Sequence, residues 1–200
     1  MSTIGNIQAL EKLYDAPAEK SLSKVATVIT PLYKQWIEAS RFLVLATMSD
    51  EGCDASPRGD TVCPVVIADE QTLLLPDWRG NNRLDSIRNI VKDGRVSLMF
   101  MVNGCTTVVR VIGKATVSTN TTLISGFKKD NKLPTTVIVV NVQEVYFQCA
   151  KALMRSDLWN PDTQVAGLPT AGLFLKEQQT DFDAQSYDQG YPEYARKKMW

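Results

Sequence analysis

One segment of the chain, residues 76–83, has the residue types of an anion-binding site. It runs from the end of an expected strand through Gly80 into the expected start of a helix. Free amide N–H groups and the positive end of the helix dipole point outward at such a place, and the guanidinium of Arg83 can bind two phosphate oxygens. A capped turn with solvated arginines explains the same residues equally well. The segment therefore predicts either a phosphate site or an ordinary polar turn.

Two further arginines are weaker candidates. Residues 54–60 read DASPRGD, where Arg58 can reach the same anion, although a polar loop has the same composition. Arg110 lies among valines in an expected strand, with Lys114 on the same face by the two-residue period of a strand. Arg110 is thus either a ligand contact or a charge on the outer surface of the sheet.

A third basic group lies near the end of the expected sheet. Lys151 and Arg155 are four residues apart and share one face of a short expected helix, with Trp159 one further turn along. Two cations and an indole suit a phosphate and a flat ring. A solvated helix face is the more common reason for this spacing, so both interpretations stay open.

The sequence contains no histidine, and this excludes several classes of enzyme. A Ser-His-Asp hydrolase, a Cys-His protease, a zinc enzyme with paired histidines and a histidine-ligated haem protein all need a residue that is absent. Chemistry must therefore come from a cofactor, or from carboxylate, lysine, tyrosine or cysteine side chains. The residues indicate no metal site.

The charge balance and the spacing of the cysteines restrict the class of partner and the cellular compartment to be expected. The 22 basic residues equal the 22 acidic ones, which argues against nucleic acid as the main partner, and no apolar run is long enough for a membrane span. The four widely spaced cysteines contain no CxxC pair and are expected to be buried free thiols. The first residues lack a signal peptide, and a reducing cytoplasm fits both observations.

The hydrophobic pattern divides the 200 residues into a helical start, a β-rich centre and a polar tail. Two helices are expected before residue 40, the second beginning near Pro31. A further helix at 82–92 is expected to have Asn81 or Asn82 as its N-cap, and a short one lies near 150–158. Beyond Pro161 an irregular arm is expected. Six strands are predicted, at residues 42–47, 61–68, 72–75, 96–102, 108–117 and 136–147.

Short turns between these strands favour a small antiparallel barrel over a βαβ sheet. The expected organisation is a helical extension at residues 1–40, one barrel domain at 41–165 and a C-terminal arm at 166–200. A single domain accords with the length of the chain.

Three segments together resemble the pyridoxamine 5′-phosphate oxidase-like flavoproteins, the split-barrel family that binds flavin mononucleotide (FMN), in its FMN-dependent branch. The similarity spans about residues 30–165. The motifs that carry it are DASPRGD at 54–60, LLPD at 74–77 with GNNRLDS at 80–86, and CAKALMRS at 149–156 leading to Leu158 and Trp159. As an ordered set they are fairly specific, while each alone is weak.

The resemblance implies a mainly β fold with flanking helices, a six-stranded antiparallel Greek-key split β-barrel. It also implies a homodimer with two FMN molecules in the subunit interface. The arginine- and histidine-bearing substrate segment of true pyridoxamine-phosphate oxidases is missing, so that substrate is not expected. The match implies that Arg58, Asn82 and Arg83 hold the phosphate and that Ser56, Leu75 and Pro76 line the ribityl chain or ring, with Asn81 as a further cofactor-binding residue. Candidates for contacts from the partner subunit are Arg110, Lys151, Arg155 and Trp159.

If FMN binds, the flavin ring performs hydride or electron transfer and no protein acid or base is obligatory. The first hypothesis is therefore an FMN-dependent oxidoreductase that acts on a small molecule, with a reduced nicotinamide as a candidate donor and no catalytic residue named. The alternative is a module that sequesters or senses FMN or the deazaflavin F420 without turnover. A haem-degrading relative is disfavoured by the absence of histidine, and a ligand-free scaffold leaves the arginine-rich helix start unexplained.

Overall fold

The computed structural model describes residues 3–199, and its centre is one antiparallel sheet of seven strands. In spatial order the strands are β2, β1, β5, β6, β7, β4 and β3, and every neighbouring pair is antiparallel. Among the described residues no ladder joins the edge strands β2 and β3. The strands are β1 Phe42–Ser49, β2 Gly52–Gly59, β3 Val66–Asp69, β4 Thr72–Asp77, β5 Arg95–Met101, β6 Val108–Ser118 and β7 Thr136–Gln148.

The expected mainly antiparallel sheet with flanking helices is confirmed, but the described sheet has seven strands rather than six. The additional strand is β2, which covers most of the expected polar loop at 54–60 and pairs with β1 along its whole length. No residue of β2 is fully buried, so the strand lacks the apolar alternation that marks a half-buried strand. As an edge strand it also accommodates Pro57. The strand expected at 61–68 is correspondingly short, beginning only at Val66.

The core lies beneath the central strands of the sheet and is formed by their inward-facing side chains. Leu43 and Leu45 of β1, Leu98 and Phe100 of β5 and Val111 of β6 alternate inward and are fully buried. Burial of such side chains stabilises the fold by about 1.5–3 kcal/mol each. Helices pack at the margins of the core, with Ile37 and Ile90 buried.

Eight α-helices and a 3₁₀ turn flank the sheet in the described residues. The α-helices are α1 Ile7–Glu11, α2 Glu19–Ser23, α3 Pro31–Ala39, α4 Asp85–Lys92, α5 Thr121–Ser125, α6 Lys151–Ser156, α7 Ala171–Gln178 and α8 Ala184–Lys198, and the 3₁₀ turn is Pro161–Thr163. The start of α3 at Pro31 agrees with the sequence, because proline suits the first turn of a helix. None of these helices is long and apolar enough to cross a membrane.

The expectation of an irregular tail beyond Pro161 is wrong, because α7 and α8 form a helical hairpin. The Asp188 carboxylate on α8 accepts hydrogen bonds from the Gly172 N–H, at 2.8 Å, and from the Thr170 hydroxyl at the start of α7. A side chain at Gly172 would lie 2.5 Å from the Ala184 carbonyl oxygen. The close approach of the two helices therefore depends on this glycine.

The cysteines differ in exposure from the buried thiols expected. All four are free, but Cys53 and Cys149 are exposed, whereas Cys63 and Cys105 are half-buried. Burial raises the pKa of the Cys63 thiol. Cys63 is therefore held in its neutral form near neutral pH.

Gly113 lies at a close approach of β6 to β7 and gives a test of the register between these two strands. The ladder shifts between Ile112 and Gly113, and a Cβ at Gly113 would lie 2.1 Å from the backbone oxygen of Asn141. Gly113→Ala should lower the free energy of unfolding by about 1–3 kcal/mol, since the backbone must move to admit the methyl group. Urea denaturation measures this change.

The control is Gly5→Ala, where no atom lies within 4 Å of the added methyl group. It should change stability by less than about 0.5 kcal/mol. Equal stability of the two variants would contradict the register described for β6 and β7.

Candidate functional site

A cleft of about 460 Å³ lies where β2, the end of β4 and the start of α4 meet. It brings together five residues that were predicted to bind a cofactor. They are Ser56, Arg58, Asn81, Asn82 and Arg83. Segments that are 25 residues apart in the chain thus face one space, because β2 is the sheet edge beside α4.

Arg58 is oriented in this cleft by an ion pair. Its Nη1 donates to Oδ1 of Asp77 at 2.8 Å, and the two side chains are only 22% and 14% exposed. The Nε of Arg58 is buried and has no hydrogen-bond partner in the described structure. The guanidinium therefore keeps donor capacity beyond its carboxylate partner, and an unmet donor of this kind favours an acceptor from outside the chain.

The loop before α4 differs from the capped helix start that the sequence predicted. The helix begins at Asp85 rather than near residue 82, because Asn82 and Leu84 both have a φ of 61°, in the left-handed region. The predicted caps at Asn81 and Asn82 are wrong: Leu84 occupies the N-cap position, and Asn81 instead accepts a hydrogen bond from the Arg83 N–H at 3.1 Å. Backbone with left-handed residues of this kind forms concave groups of N–H donors that suit anions.

A second contact ties β2 to α4. The Ser86 hydroxyl donates to Oδ2 of Asp54 at 2.5 Å, and Ser86 is 4% exposed. Because Asp54, Ser56 and Arg58 alternate along β2, all three lie on the face that borders the cleft. The strand thus presents an acid, a hydroxyl and a guanidinium in one row.

The charges that line the cleft balance. Three arginines are matched by three aspartates, namely Arg58, Arg79 and Arg83 against Asp54, Asp77 and Asp85. Arg58 and Arg83 are paired with Asp77 and Asp85, the latter pair at 2.9 Å. Arg79 is exposed and has no acidic partner among the described residues. Arg79 is therefore the guanidinium of this cleft that an entering anion would meet without competition from a carboxylate partner.

Three further residues of this part of the structure were not predicted from the sequence. Asp54, Asp77 and Ser86 lie inside the quoted motifs, but their role was not deduced. The available signal was that Asp54 and Asp77 lie close in sequence to Arg58 and Arg79. Only the assignment of residues 52–59 to a strand places Asp54 on the cleft.

Three other predicted residues lie apart from this cleft. Leu75 is 2% exposed and belongs to the core, and both Leu75 and Pro76 line a second cleft of about 550 Å³ that adjoins the first at Arg58. Arg110 lies on β6, where Nη2 donates to the Ser97 hydroxyl at 3.3 Å and the guanidinium lies 5.6 Å from the centre of the Tyr146 ring. These contacts show Arg110 on the sheet surface of its own subunit.

The basic pair on α6 also lies outside the cleft. Lys151 and Arg155 are both exposed. Trp159 is half-buried, and its Nε1 donates to the Cys105 carbonyl at 2.7 Å, which fixes the segment after α6 to the loop between β5 and β6. Within the described residues no group of three His, Cys, Asp or Glu side chains is arranged to hold a metal ion.

Comparison with protein families gives the classification. The model of the pyridoxamine 5′-phosphate oxidase family matches residues 29–149, which include every strand and the whole of the cleft. The chain belongs to the pyridoxamine 5′-phosphate oxidase family. A search of curated proteins finds no match.

Solved structures share the fold of this family member at low sequence identity. HupZ of Group A Streptococcus and a variant of it align with TM-scores of 0.50 and 0.51 at 17% identity, over 60% of this chain and 93% and 99% of theirs. An FMN-binding protein from Syntrophomonas wolfei aligns with a TM-score of 0.41 at 9% identity, over 58% of this chain and 88% of its own. At 17% identity the likeness to HupZ concerns the fold alone.

The two Arg–Asp pairs of this family member provide a matched test of the cleft. A double-mutant cycle of Arg58→Met and Asp77→Asn should give a coupling energy of about 1–2 kcal/mol, because both side chains are largely shielded from water. The same cycle on Arg83 and Asp85, which are 75% and 45% exposed, should give less than about 0.5 kcal/mol. Urea denaturation of the six variants measures both values. Equal coupling in the two pairs would contradict the burial described for Arg58.

Proposed function

We propose that this chain is an FMN-dependent oxidoreductase whose cofactor phosphate binds in the cleft between β2 and the start of α4. The observation that carries the proposal is the half-buried Arg58, which lines the same cleft as the left-handed loop before α4 and keeps a donor, Nε, without a hydrogen-bond partner in the described structure. Membership of the pyridoxamine 5′-phosphate oxidase family supports a flavin as the ligand.

The donor set fits a phosphate monoester. Arg58 and Arg83 supply guanidinium groups, Asn81 and Asn82 belong to the loop whose amides border the cleft, and the Ser56 hydroxyl lies on the same face of β2. Charge-assisted hydrogen bonds of this kind contribute about 1.5–3 kcal/mol each. Leu75 and Pro76 line the adjoining cleft rather than this one, and in this proposal they border the ribityl chain or ring where the cofactor extends beyond its phosphate.

When bound, FMN would supply two-electron chemistry between a reduced donor, such as a nicotinamide, and a small-molecule acceptor. The residues of the chain bind and orient the cofactor and limit the access of water to it. We assign no catalytic residue, because no acid or base of the chain is required to carry the electrons.

The proposal includes a homodimer in which residues of one subunit complete the cofactor site of the other. Arg110, Lys151 and Arg155 do not reach the cleft of their own subunit, and a partner subunit is the arrangement in which they would contribute. In this proposal residues 41–165 form the split-barrel domain, with residues 1–40 and 166–200 as extensions.

The first test is the visible absorption spectrum of the purified protein, followed by release and identification of any chromophore. We expect about one FMN per subunit, a dimer by light scattering, and bleaching of the flavin band by NADH or NADPH that air reverses. Flavin that is bound but not reduced by either nicotinamide would favour a sequestering module. A protein that rejects FMN but binds F420 would replace the cofactor assigned.

The phosphate assignment is tested by Arg83→Ala. It should weaken FMN binding by at least about ten-fold, because one charged donor to the phosphate is lost. Quenching of FMN fluorescence measures the affinity.

The control for that variant is Arg88→Ala, which removes an exposed arginine from the same helix region without removing a residue that lines the cleft. Its affinity for FMN should equal that of the unmodified protein. Unchanged affinity in Arg83→Ala, or equal losses in both variants, would remove Arg83 from the phosphate site.

A further inference from the structure

The face of the sheet that is turned away from the core carries a hollow of about 490 Å³, the outer hollow. Ala46 of β1 and Ser97 of β5 line it, and both alternate along their strands with buried residues. Among the described lining residues Asp54 is the only one shared with the first cleft, and none is shared with the second. The outer hollow is therefore separate from the site proposed for the cofactor.

The register of three neighbouring strands gives the outer hollow its floor. Ala55 of β2 lies opposite Ala46, and Ala46 lies opposite Ser97. Val44 and Met48, which precede and follow Ala46 on the same face of β1, have larger side chains. The floor thus lies lower than the side chains beside it along β1.

A β-bulge forms the wall of the outer hollow on the side of β6 and β7. The ladder matches Ile112 with Glu144. It next matches Gly113 with Val142, so Gln143 has no partner in the ladder. Gln143 is exposed and borders the hollow together with Ile112. The bulge therefore adds an apolar side chain and a neutral carboxamide to the rim, as bulges beside binding sites re-aim side chains.

The two charged residues in the described lining, Asp54 and Arg95, are already engaged within the chain. Arg95 donates through Nε and Nη2 to the Asp93 carboxylate, at 2.6 and 2.7 Å. The hydrogen bonds from Arg95 lower the pKa of Asp93 to about 2, so this ion pair is intact near neutral pH. Oδ2 of Asp54 accepts from the Ser86 hydroxyl at 2.5 Å. A charged ligand would therefore lose hydration in the hollow without gaining an unpaired opposite charge.

The neutral polar groups of the outer hollow are few. The Ser97 hydroxyl accepts from Nη2 of Arg110 at 3.3 Å, and no acceptor for its own proton is found among the described residues. The Gln143 carboxamide can both donate and accept. A largely apolar lining with a few polar groups, at a volume within the range of about 300–1,000 Å³, is typical of sites for small molecules.

We propose that the outer hollow binds a compact, neutral, mainly apolar ring compound. Its rings would pack on Ala46, Ala55 and Ile112, and its polar group would meet Ser97 or Gln143. The charge state of the ligand follows from the engaged pair of charged residues, and its size follows from the volume of the hollow. This inference does not rest on the proposed function, because the first cleft and the hollow have separate linings.

The first test compares two dyes that share one ring skeleton. N-Phenyl-1-naphthylamine is neutral, whereas 8-anilinonaphthalene-1-sulfonate adds an anionic group, and fluorescence titration measures the Kd of each. We expect the neutral dye to bind at one site per subunit and at least about ten-fold more tightly, because no unpaired cation in the hollow compensates the sulfonate for lost hydration.

A matched pair of variants locates the dye. Ala55→Leu fills the floor from the exposed edge strand β2 and should weaken binding of the neutral dye at least about five-fold, since the added side chain occupies its space. Ala68→Leu is the control, because it makes the same change at an exposed position of the opposite edge strand, β3, outside the described lining. Its affinity for the dye should equal that of the unmodified protein.

Two cysteines give a second measure of location. Cys53 and Cys149 are both free and exposed, but only Cys53 lines the outer hollow. With the neutral dye at about ten times its Kd, alkylation of Cys53 by iodoacetamide should slow about ten-fold, because the hollow is then empty for only about a tenth of the time. The rate at Cys149 should not change. Peptide mass spectrometry separates the two rates.

Several outcomes would overturn this assignment. They are no binding of the neutral dye, equal affinity for both dyes, equal losses in Ala55→Leu and Ala68→Leu, or equal slowing at the two cysteines. Displacement of the dye by FMN would place it in the cofactor site and also overturn the proposal. Without any dye, a Cys53 that resists alkylation while Cys149 reacts would show that a second copy of the chain covers the hollow, which overturns it as well.

Discussion

The antiparallel ladder between β1 and β2 places a polar strand at the edge of the sheet in a fixed register. Each of the eight residues from Phe42 to Ser49 is matched with a residue of β2. Because side chains alternate along a strand, this register decides that Asp54, Ser56 and Arg58 face α4. A shift by one residue would turn all three away from the cleft. The two-residue turn at 50–51, which pairs Ser49 with Gly52, prevents that shift, so a tight turn determines which side chains of the polar strand reach the cleft.

The two clefts use this edge in different ways. Arg58 lies on their common wall and is already neutralised by Asp77 on one side. The first cleft has as many carboxylates as guanidinium groups, and its selectivity for an anion must come from backbone donors and from geometry. The second cleft has an excess of positive charge, which attracts anions over a longer range.

Much of the fold could be predicted from the sequence, because its strands and helices bury apolar residues at regular spacing. Strands β1, β5, β6 and β7 have strong apolar alternation, and α3 has proline at its first position. The edge strand β2 was missed because pairing with β1, rather than burial of its own side chains, makes it a strand. The start of α4 was misplaced because left-handed backbone at Leu84 is not a preference of leucine and is imposed by the surrounding structure. The tail hairpin was missed because α8 has many polar residues and depends on one carboxylate contact to α7.

The candidate site was predictable in part for the same reasons. Arginines and a glycine turn near a helix start are local signals, and they identified Arg83 and its neighbours. The ion pair of Arg58 with Asp77 joins residues 19 positions apart and depends on where two non-adjacent strands of the sheet end. The second cleft requires the turn after α5 to lie against the end of β2, a contact 69 residues apart in the sequence. The hydrophobic periodicity of a sequence carries no information on such a long-range contact.

Pro57 near the middle of β2 also limits how copies of this chain can associate. Proline has no N–H to offer to a further strand, and β3 at the opposite edge is only four residues long. Neither edge is a good template for extending the sheet into another molecule. In the proposed homodimer the subunits would therefore meet through side chains on the faces of the sheet and its helices, so that the shape and charge of those faces, rather than the backbone, would select the partner.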